Sequence, residues 1–337
     1  MPTLAAPLAC PIRVLCRRLV IACLALCVGL GTACAWQPER PIQFIVTAGP
    51  GGGTDQFARA IEGIVRKHKL VAQPIEIIYK NRGEGAEGFV HTRFAEGDAH
   101  TLVLGTSNAW LLPLSTQQAF RRTDLTPVAS MAEDEFVLWV RTDLPYRDVK
   151  SFLDAARREP RGLRMGGSQR RDTDQTLTRL IEQTASVRFN YVAYKGGGEA
   201  AKKLAEGQVH ANTNNPGENR EVWLEGKVRP LCVFSHKRLL ARAGSTPAWD
   251  TIPTCIESGL AIENYQMPRT IFLPPRVTSA TLDFYVALMG RVRETAEWKE
   301  YLVRTAQTDR FATGDAFERL MREGEALSRR AFQAEGW

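Results

Sequence analysis

The residues in this chain whose types and spacing could do chemistry form cradles for anions, not reaction centres. Gly51, Gly52, Gly53 and Thr54 follow an apolar run at 42–46 and open a helix-spaced stretch at 54–69. A strand that turns through glycines onto a helix start aims free N–H groups at one point, where the helix dipole is positive. The loop fails as a nucleotide site. A P-loop ends in Gly-Lys-Ser/Thr, whereas this one ends Gly53-Thr54-Asp55, without lysine and with an acid that would repel a polyphosphate. The dinucleotide spacing fails as well, because the glycine it requires at 54 or 56 is Thr54 or Gln56. As a plain turn, the same residues read with Thr54 as helix N-cap and Asp55 favouring the dipole.

Three further loops of small and neutral hydrogen-bonding residues follow predicted strands. They are Gly105-Thr106-Ser107-Asn108, Gly166-Gly167-Ser168-Gln169 and Asn212-Thr213-Asn214-Asn215-Pro216. Each could be an ordinary turn. Facing one cleft, they would hold carboxylates through neutral donors and bridging water. Arg170-Arg171 reads as exposed charge or as a positive cleft rim. Arg269 begins an apolar run, where it needs either an internal acid or a ligand carboxylate. Trp110 and Tyr194 are core aromatics by default and cleft walls by alternative.

No catalytic constellation can be assembled. His68, His91, His100, His210 and His236 are scattered without metal-ligand spacing, and there is no C-x-x-C pair or G-x-S-x-G elbow. The acid pairs Glu133/Glu135 and Glu84/Glu87 read as solvated loop charges. Without a nucleophile beside a base, the chain reads as a binding protein and not an enzyme.

Strand-like and helix-like segments alternate from 42 to 273 and end in two helical stretches at 280–302 and 315–332. Such alternation predicts an α/β protein with mainly parallel sheets, whose ligands sit beyond the carboxyl ends of the strands. Soft boundaries near 142–145 and 259–266 divide it into a discontinuous lobe 1, 36–142 with 266–337, and a lobe 2, 143–265. That arrangement is a hinged clamp.

Residues 1–35 stand apart. Arg13, Arg17 and Arg18 precede an uncharged stretch ending Ala33-Cys34-Ala35, the pattern of a secretory signal peptide. Lipidation at Cys34 is the weaker alternative. The leader carries three Arg and no acid, so its removal takes the formal charge from +7 to +4. Basic residues are not clustered with aromatics, which argues against nucleic acid. Of the seven cysteines, only Cys232 and Cys255 lie beyond the leader. In an oxidising compartment they pair or remain two buried thiols; sequence does not decide.

An ordered series of segments resembles the periplasmic receptors of tripartite tricarboxylate transporters, the TctC or Bug family. The series is PGGGTDQFAR (50–59), Asn81-Arg82-Gly83, LVLGTSNAW (102–110), GGSQRRDTDQ (166–175) and YKGGGEAA (194–201), then NNPGE (214–218), VRPLCVFSHKR (228–238), TIPTCIESGL (251–260) and MPRTIFLPP (267–275). Gly83 stands where the family often has proline, and Gly97-Asp98-Ala99-His100-Thr101 replaces its Asp-Gly-Tyr-Thr. The resemblance implies a two-lobed periplasmic-binding-protein clamshell, each lobe a mainly parallel sheet flanked by helices. It implies a first-lobe grip from the loops carrying Thr47, Gly49, Gly51, Gly52, Gly53 and Thr54, and Thr106, Ser107 and Asn108. The second lobe would add Gly167, Ser168, Gln169, Asn214 and Asn215, and Arg269 joins them as a candidate. The expected ligand is a small di- or tricarboxylate, citrate-like, and the expected partners are the membrane permease subunits. A membrane sensor kinase is the alternative partner. The expected protein is periplasmic and monomeric, with no cofactor, no metal and no nucleic acid.

Overall fold

The computed structural model describes residues 36–240 and 248–335. The predicted signal peptide and Cys34 lie outside the described residues. The first stretch runs β1 (Ile42–Val46), α1 (Gly53–Lys67), β2 (Ile75–Tyr79), α2 (Ala86–Phe94), β3 (Thr101–Gly105), α3 (Asn108–Ser115) and β4 (Thr126–Glu135). The middle runs β5 (Val137–Arg141), α4 (Val149–Arg158), β6 (Arg164–Ser168), α5 (Thr173–Ala185), β7 (Asn190–Tyr194), α6 (Gly197–Ala205), β8 (Ala211–Asn214), α7 (Pro216–Leu224) and β9 (Val228–Val233). The last part runs β10 (Gln266–Leu273), α8 (Ser279–Glu294), α9 (Ala296–Thr305), β11 (Gln307–Ala312) and α10 (Gly314–Glu335).

These strands make two sheets, one per lobe, in the orders β11-β4-β10-β3-β1-β2 and β7-β6-β8-β5-β9. The central strand β3 is buried along its whole length, as an apolar run between two neighbours requires. Helix α1 buries Phe57, Ala58, Ile61, Ile64 and Val65, one face at helical spacing. Each such large side chain contributes roughly 1.5–3 kcal/mol on burial. Separate cores form in the lobes. Phe89, Trp110, Phe272 and Phe317 belong to one, and Phe136, Phe152, Leu177 and Phe189 to another.

Both sheets are mixed, although the alternation led to mainly parallel ones. β1 runs parallel to β2 and β3, and β6 parallel to β7 and β8. β10 is antiparallel to β3 and β4, and β5 to β8 and β9. A helix between two strands returns the chain to start again in the same direction. Among the described residues the joins β4–β5 and β9–β10 contain no α-helix, and the strands flanking them run antiparallel to their neighbours. The chain leaves the first sheet at Phe136, so Val137–Arg141, grouped with lobe 1 on sequence, pairs in the second sheet. The two strands are separated by one residue, which left no break to read.

Several elements were not legible. The glycine-rich loop at 81–88 runs into α2, entered through Gly85 at φ 93°. The loops at Thr106 and Asn215 open directly onto α3 and α7. Cys232 and Cys255 are bonded, with Cα atoms 4.9 Å apart, tying β9 to the segment that follows it. Among the described residues no helix is long and apolar enough to cross a membrane.

Candidate functional site

Strands β1, β3, β6, β7 and β8 all point their carboxyl ends at one cleft between the lobes. The helix after each begins there. Gly52, Gly53 and Thr54 of α1, Asn108 of α3, and Asp172 and Thr173 of α5 line it. Gly196 and Gly197 of α6 and Asn215 of α7 complete the ring. Five helix starts on one point supply a positive potential and backbone donors that need no basic side chain. The free space is small, about 50 Å³.

Of the residues expected to bind, Thr47, Gly52, Gly53, Thr54, Thr106, Asn108, Ser168, Gln169, Asn215 and Arg269 line this cleft. Gly49, Gly51, Ser107, Gly167 and Asn214 stand behind or beside it. The Gly49 carbonyl accepts from Gly52 N–H at 3.2 Å. Gly51, at φ 80°, donates its N–H to Asp55 at 2.8 Å. Ser107 borders a neighbouring groove. Gly167 lies against Tyr191 and Asp174, where a methyl group would collide with both. Asn214 donates to the Gly197 carbonyl at 2.8 Å and to Asn219 at 2.6 Å.

The glycine seat differs from its sequence reading in two ways. The N-cap of α1 is Gly52, not Thr54. Thr54 lies a turn position further in, and its hydroxyl accepts from Arg269 Nη1 at 3.0 Å. The seat is also already engaged by protein: Gly53 N–H donates to Glu218 Oε1 at 2.9 Å, from the opposite lobe. Gly53 has to be glycine because a Cβ there would lie 2.0 Å from Arg269 Nη2. Arg269 itself is buried and paired with the buried Asp134. The internal acid that sequence reasoning left open therefore exists, while the guanidinium still borders the cleft.

Acids, which the sequence reading did not place here, are the main charged side chains of the wall. Asp172, Asp174 and Glu218 all line the cleft, the two aspartates buried and Glu218 half-buried. Burial pushes Asp172 up to about 6, against hydrogen bonds from Thr173 N–H and hydroxyl at 2.7 and 2.9 Å. Burial and the neighbouring Asp172 raise Asp174 well above its ordinary range, although Ser168 N–H donates to it at 2.7 Å. Burial pushes Glu218 up to about 7, opposed by the charge of Arg269 and the backbone of Gly53. A carboxyl group that keeps its proton is a donor, so Asp174 can face a ligand carboxylate without repelling it.

Other contacts join the lobes. Glu84 accepts from Arg170 N–H at 3.2 Å, and Arg171 donates to the Ser115 carbonyl at 2.8 Å. Gln169, oriented so that both amide atoms are satisfied, donates to Asp172 at 3.0 Å and to the Glu84 carbonyl at 3.2 Å. Glu84 and Arg171 are thus bridging residues rather than solvated charges. Glu135 departs from its expectation too. It ends β4 at 2% exposure and accepts from Gln266 of β10 at 2.6 Å and Thr308 of β11 at 2.9 Å. Its backbone carbonyl takes Asn215 of the second lobe at 2.9 Å. The one local signal for the missed acids was their position in the first turn of helices that follow strand-end loops.

A wider groove of about 1010 Å³ runs beside the cleft, bordered by Trp110, Leu180, Tyr265 and Arg310. Volume alone favours it, but only Ser107 and Thr173 there stand at a helix start. The convergent donors place the site in the smaller cleft. Among the described residues no group of three or more His, Cys, Asp or Glu is arranged to hold a metal.

The two lobes and the cleft between them define a solute-binding protein. Residues 58–314 match the family described as the tripartite tricarboxylate transporter family receptor, TctC, and the chain belongs to that family. The UPF0065 protein in the tcbD-tcbE intergenic region of Pseudomonas sp. strain P51 is 27% identical over 71% of this chain and 75% of its own length. Protein BugT of Bordetella pertussis is 26% identical over 66% of this chain and 67% of its own. Among solved structures, R. palustris Rpa4515 with adipate superposes at a TM-score of 0.82, with 23% identity, covering 89% of this chain and 98% of that one. MatC from Rhodopseudomonas palustris with bound malate gives 0.75, with 21% identity, covering 87% and 99%. The family is one of receptors, not of enzymes. Its members are receptors of tripartite tricarboxylate transporters.

Proposed function

We propose that this chain is an exported, periplasmic receptor that closes its two lobes around a small di- or tricarboxylate, citrate-like, and delivers it to the permease of a tripartite tricarboxylate transporter. The observation that carries this reading is the meeting of five helix starts, two from the first lobe and three from the second, on one cleft. A ligand that touches both sets favours the closed form, and that differential contact is what drives closure. One carboxylate sits at Gly53 and Thr54 beside Arg269. The other end faces Ser168, Gln169, Asp174 and Asn215, where protonated acids and amides act as donors. The lobes are residues 36–136 with 266–335, and 137–265. The adipate and malate bound to two proteins of this fold support the ligand class. The cleft's 50 Å³ is small beside the roughly 300–1,000 Å³ usual for small-molecule sites, so the lobes part to admit a solute.

The test uses the chain from residue 36, stripped of bound ligand by unfolding and refolding. Citrate, malate, succinate and adipate are titrated in a thermal-shift assay and by calorimetry. A ligand at about 100 times its Kd should add roughly 2.7 kcal/mol of stability. No shift with any member of the panel would overturn the reading. Capture of the liganded protein by its permease subunits tests the delivery step; capture by a sensor kinase alone would replace it with a co-sensor role.

A further inference from the structure

Glu218 stands where a ligand carboxylate would stand. Gly51 N–H is taken by Asp55 and Gly52 N–H by the Gly49 carbonyl, both within the loop. The loop leaves Gly53 N–H, and that donor reaches across the cleft to Glu218 Oε1 at 2.9 Å. The second lobe is shaped to bring this carboxylate in. Gly197 clears the space: a Cβ there would lie 1.8 Å from Glu218 Oε2 and 2.3 Å from Asn214 Oδ1. Asn214 Oδ1 is buried and has no hydrogen-bond partner among the described residues. Beside it, Gly198 packs on Gly51, its would-be Cβ 3.3 Å from the Gly51 carbonyl oxygen. The seat and the side chain that fills it are 165 residues apart in sequence.

We infer that Glu218 is an internal carboxylate that latches the lobes shut, and that a solute enters the seat by displacing it. The inference rests on the reading of Gly53 as the carboxylate seat. A carboxylate on a helix-start N–H makes a charge-assisted hydrogen bond. The same group and the same donor cannot serve two carboxylates at once, so latch and ligand compete. The apparent affinity for a solute is then reduced by the fraction of molecules that are latched. The latch also discriminates: a solute with one weak anionic group cannot displace Glu218, whereas one that gains contacts on both lobes can.

The experiment compares wild type, Glu218→Gln and Glu218→Ala, all stripped of ligand, with circular dichroism to check folding. Small-angle scattering reads closure, and calorimetry reads binding of malate, adipate and citrate. The latch predicts that stripped Glu218→Ala has the larger radius of gyration and binds the effective carboxylate about tenfold tighter, the effect of one charge-assisted hydrogen bond. Glu218→Gln, which keeps the shape and loses the charge, falls between. Equal scattering for wild type and Glu218→Ala overturns the latch, and so does weaker binding by both variants, which would make Glu218 a ligand contact. If no carboxylate binds any of the three, the seat reading fails, and scattering still decides whether Glu218 holds the lobes together.

Discussion

Arg269 and Asp134 form a buried ion pair at the cleft wall of the first lobe, their side chains 2% and 1% exposed. Burial pushes the Asp134 carboxyl up, and the guanidinium works against that push. Removing one partner strands the other: Arg269→Met should cost about 3–5 kcal/mol in chemical denaturation. The joint variant Arg269→Met with Asp134→Leu should regain most of that loss, because a well-packed apolar pair replaces a buried ion pair at little cost. Carboxylate affinity separates the two roles of Arg269. With the cleft wall deprived of its guanidinium, the double variant should bind at least about tenfold more weakly despite its restored stability. Full-strength binding by the double variant would make Arg269 purely structural.

Gly53 carries a sharper constraint than its neighbours. A methyl group there would lie 2.0 Å from Arg269 Nη2, and Arg269 is held by Asp134 and Thr54. Gly53→Ala should therefore lose about 1–3 kcal/mol through overpacking and lose carboxylate binding with it. Gly63, further along α1, has nothing within 4 Å of its would-be Cβ. Gly63→Ala should be neutral or stabilising by up to about 1 kcal/mol, since alanine is the better helix former. Melting curves of the two variants check the contrast, and equal behaviour would refute the crowding argument.

What could be read beforehand was local. The turn through Gly51, Gly52 and Gly53 onto a helix lies in one short stretch. What could not be read depends on partners remote in sequence. Glu218 acquires its role only when Gly53 arrives from the other lobe. Glu133, Asp134 and Glu135 together look like a solvated acidic loop. They lie instead on β4, covered by β10 on one side and β11 on the other. Strand direction was hidden for the same reason, since it is decided by the two crossings between lobes. Cys232 and Cys255 posed a question of distance, and only the return of the chain after β9 answers it.

That disulfide closes a loop with a sequence separation of 23. Constraining an unfolded chain over such a loop is worth about 3 kcal/mol. Cys232→Ala with Cys255→Ala should lower stability by about that amount, and the folded chain should still bind its carboxylate, because both cysteines lie away from the cleft lining. Alkylation of the unfolded, unreduced chain from residue 36 should leave its mass unchanged. Uptake of two alkyl groups without reductant would show the thiols to be free.

Glu135 should make stability fall as pH rises. Burial pushes its carboxyl up to about 7 from an ordinary value of 4.5, with Glu133 and Asp134 adding to the push and Gln266 and Thr308 opposing it. The folded chain therefore binds more protons than the unfolded chain between those values, and the slope of unfolding free energy with pH is negative there. The contribution is fully present below about pH 4.5 and is lost as pH passes about 7. Glu218, at about 7, and Asp172, at about 6, act in the same direction. His91 and His210, both pushed down by burial, act in the opposite one. A comparison with Glu135→Gln cancels those shared terms. The glutamine variant should lose less stability than wild type between about pH 5 and about pH 8, by an amount up to a few kcal/mol. Glu135 joins β4, β10 and β11 beside the crossing at Phe136, so its ionisation should also weaken closure, measured by scattering, over the same interval. Parallel stability curves for the two proteins would show that Glu135 already carries its charge in the folded chain.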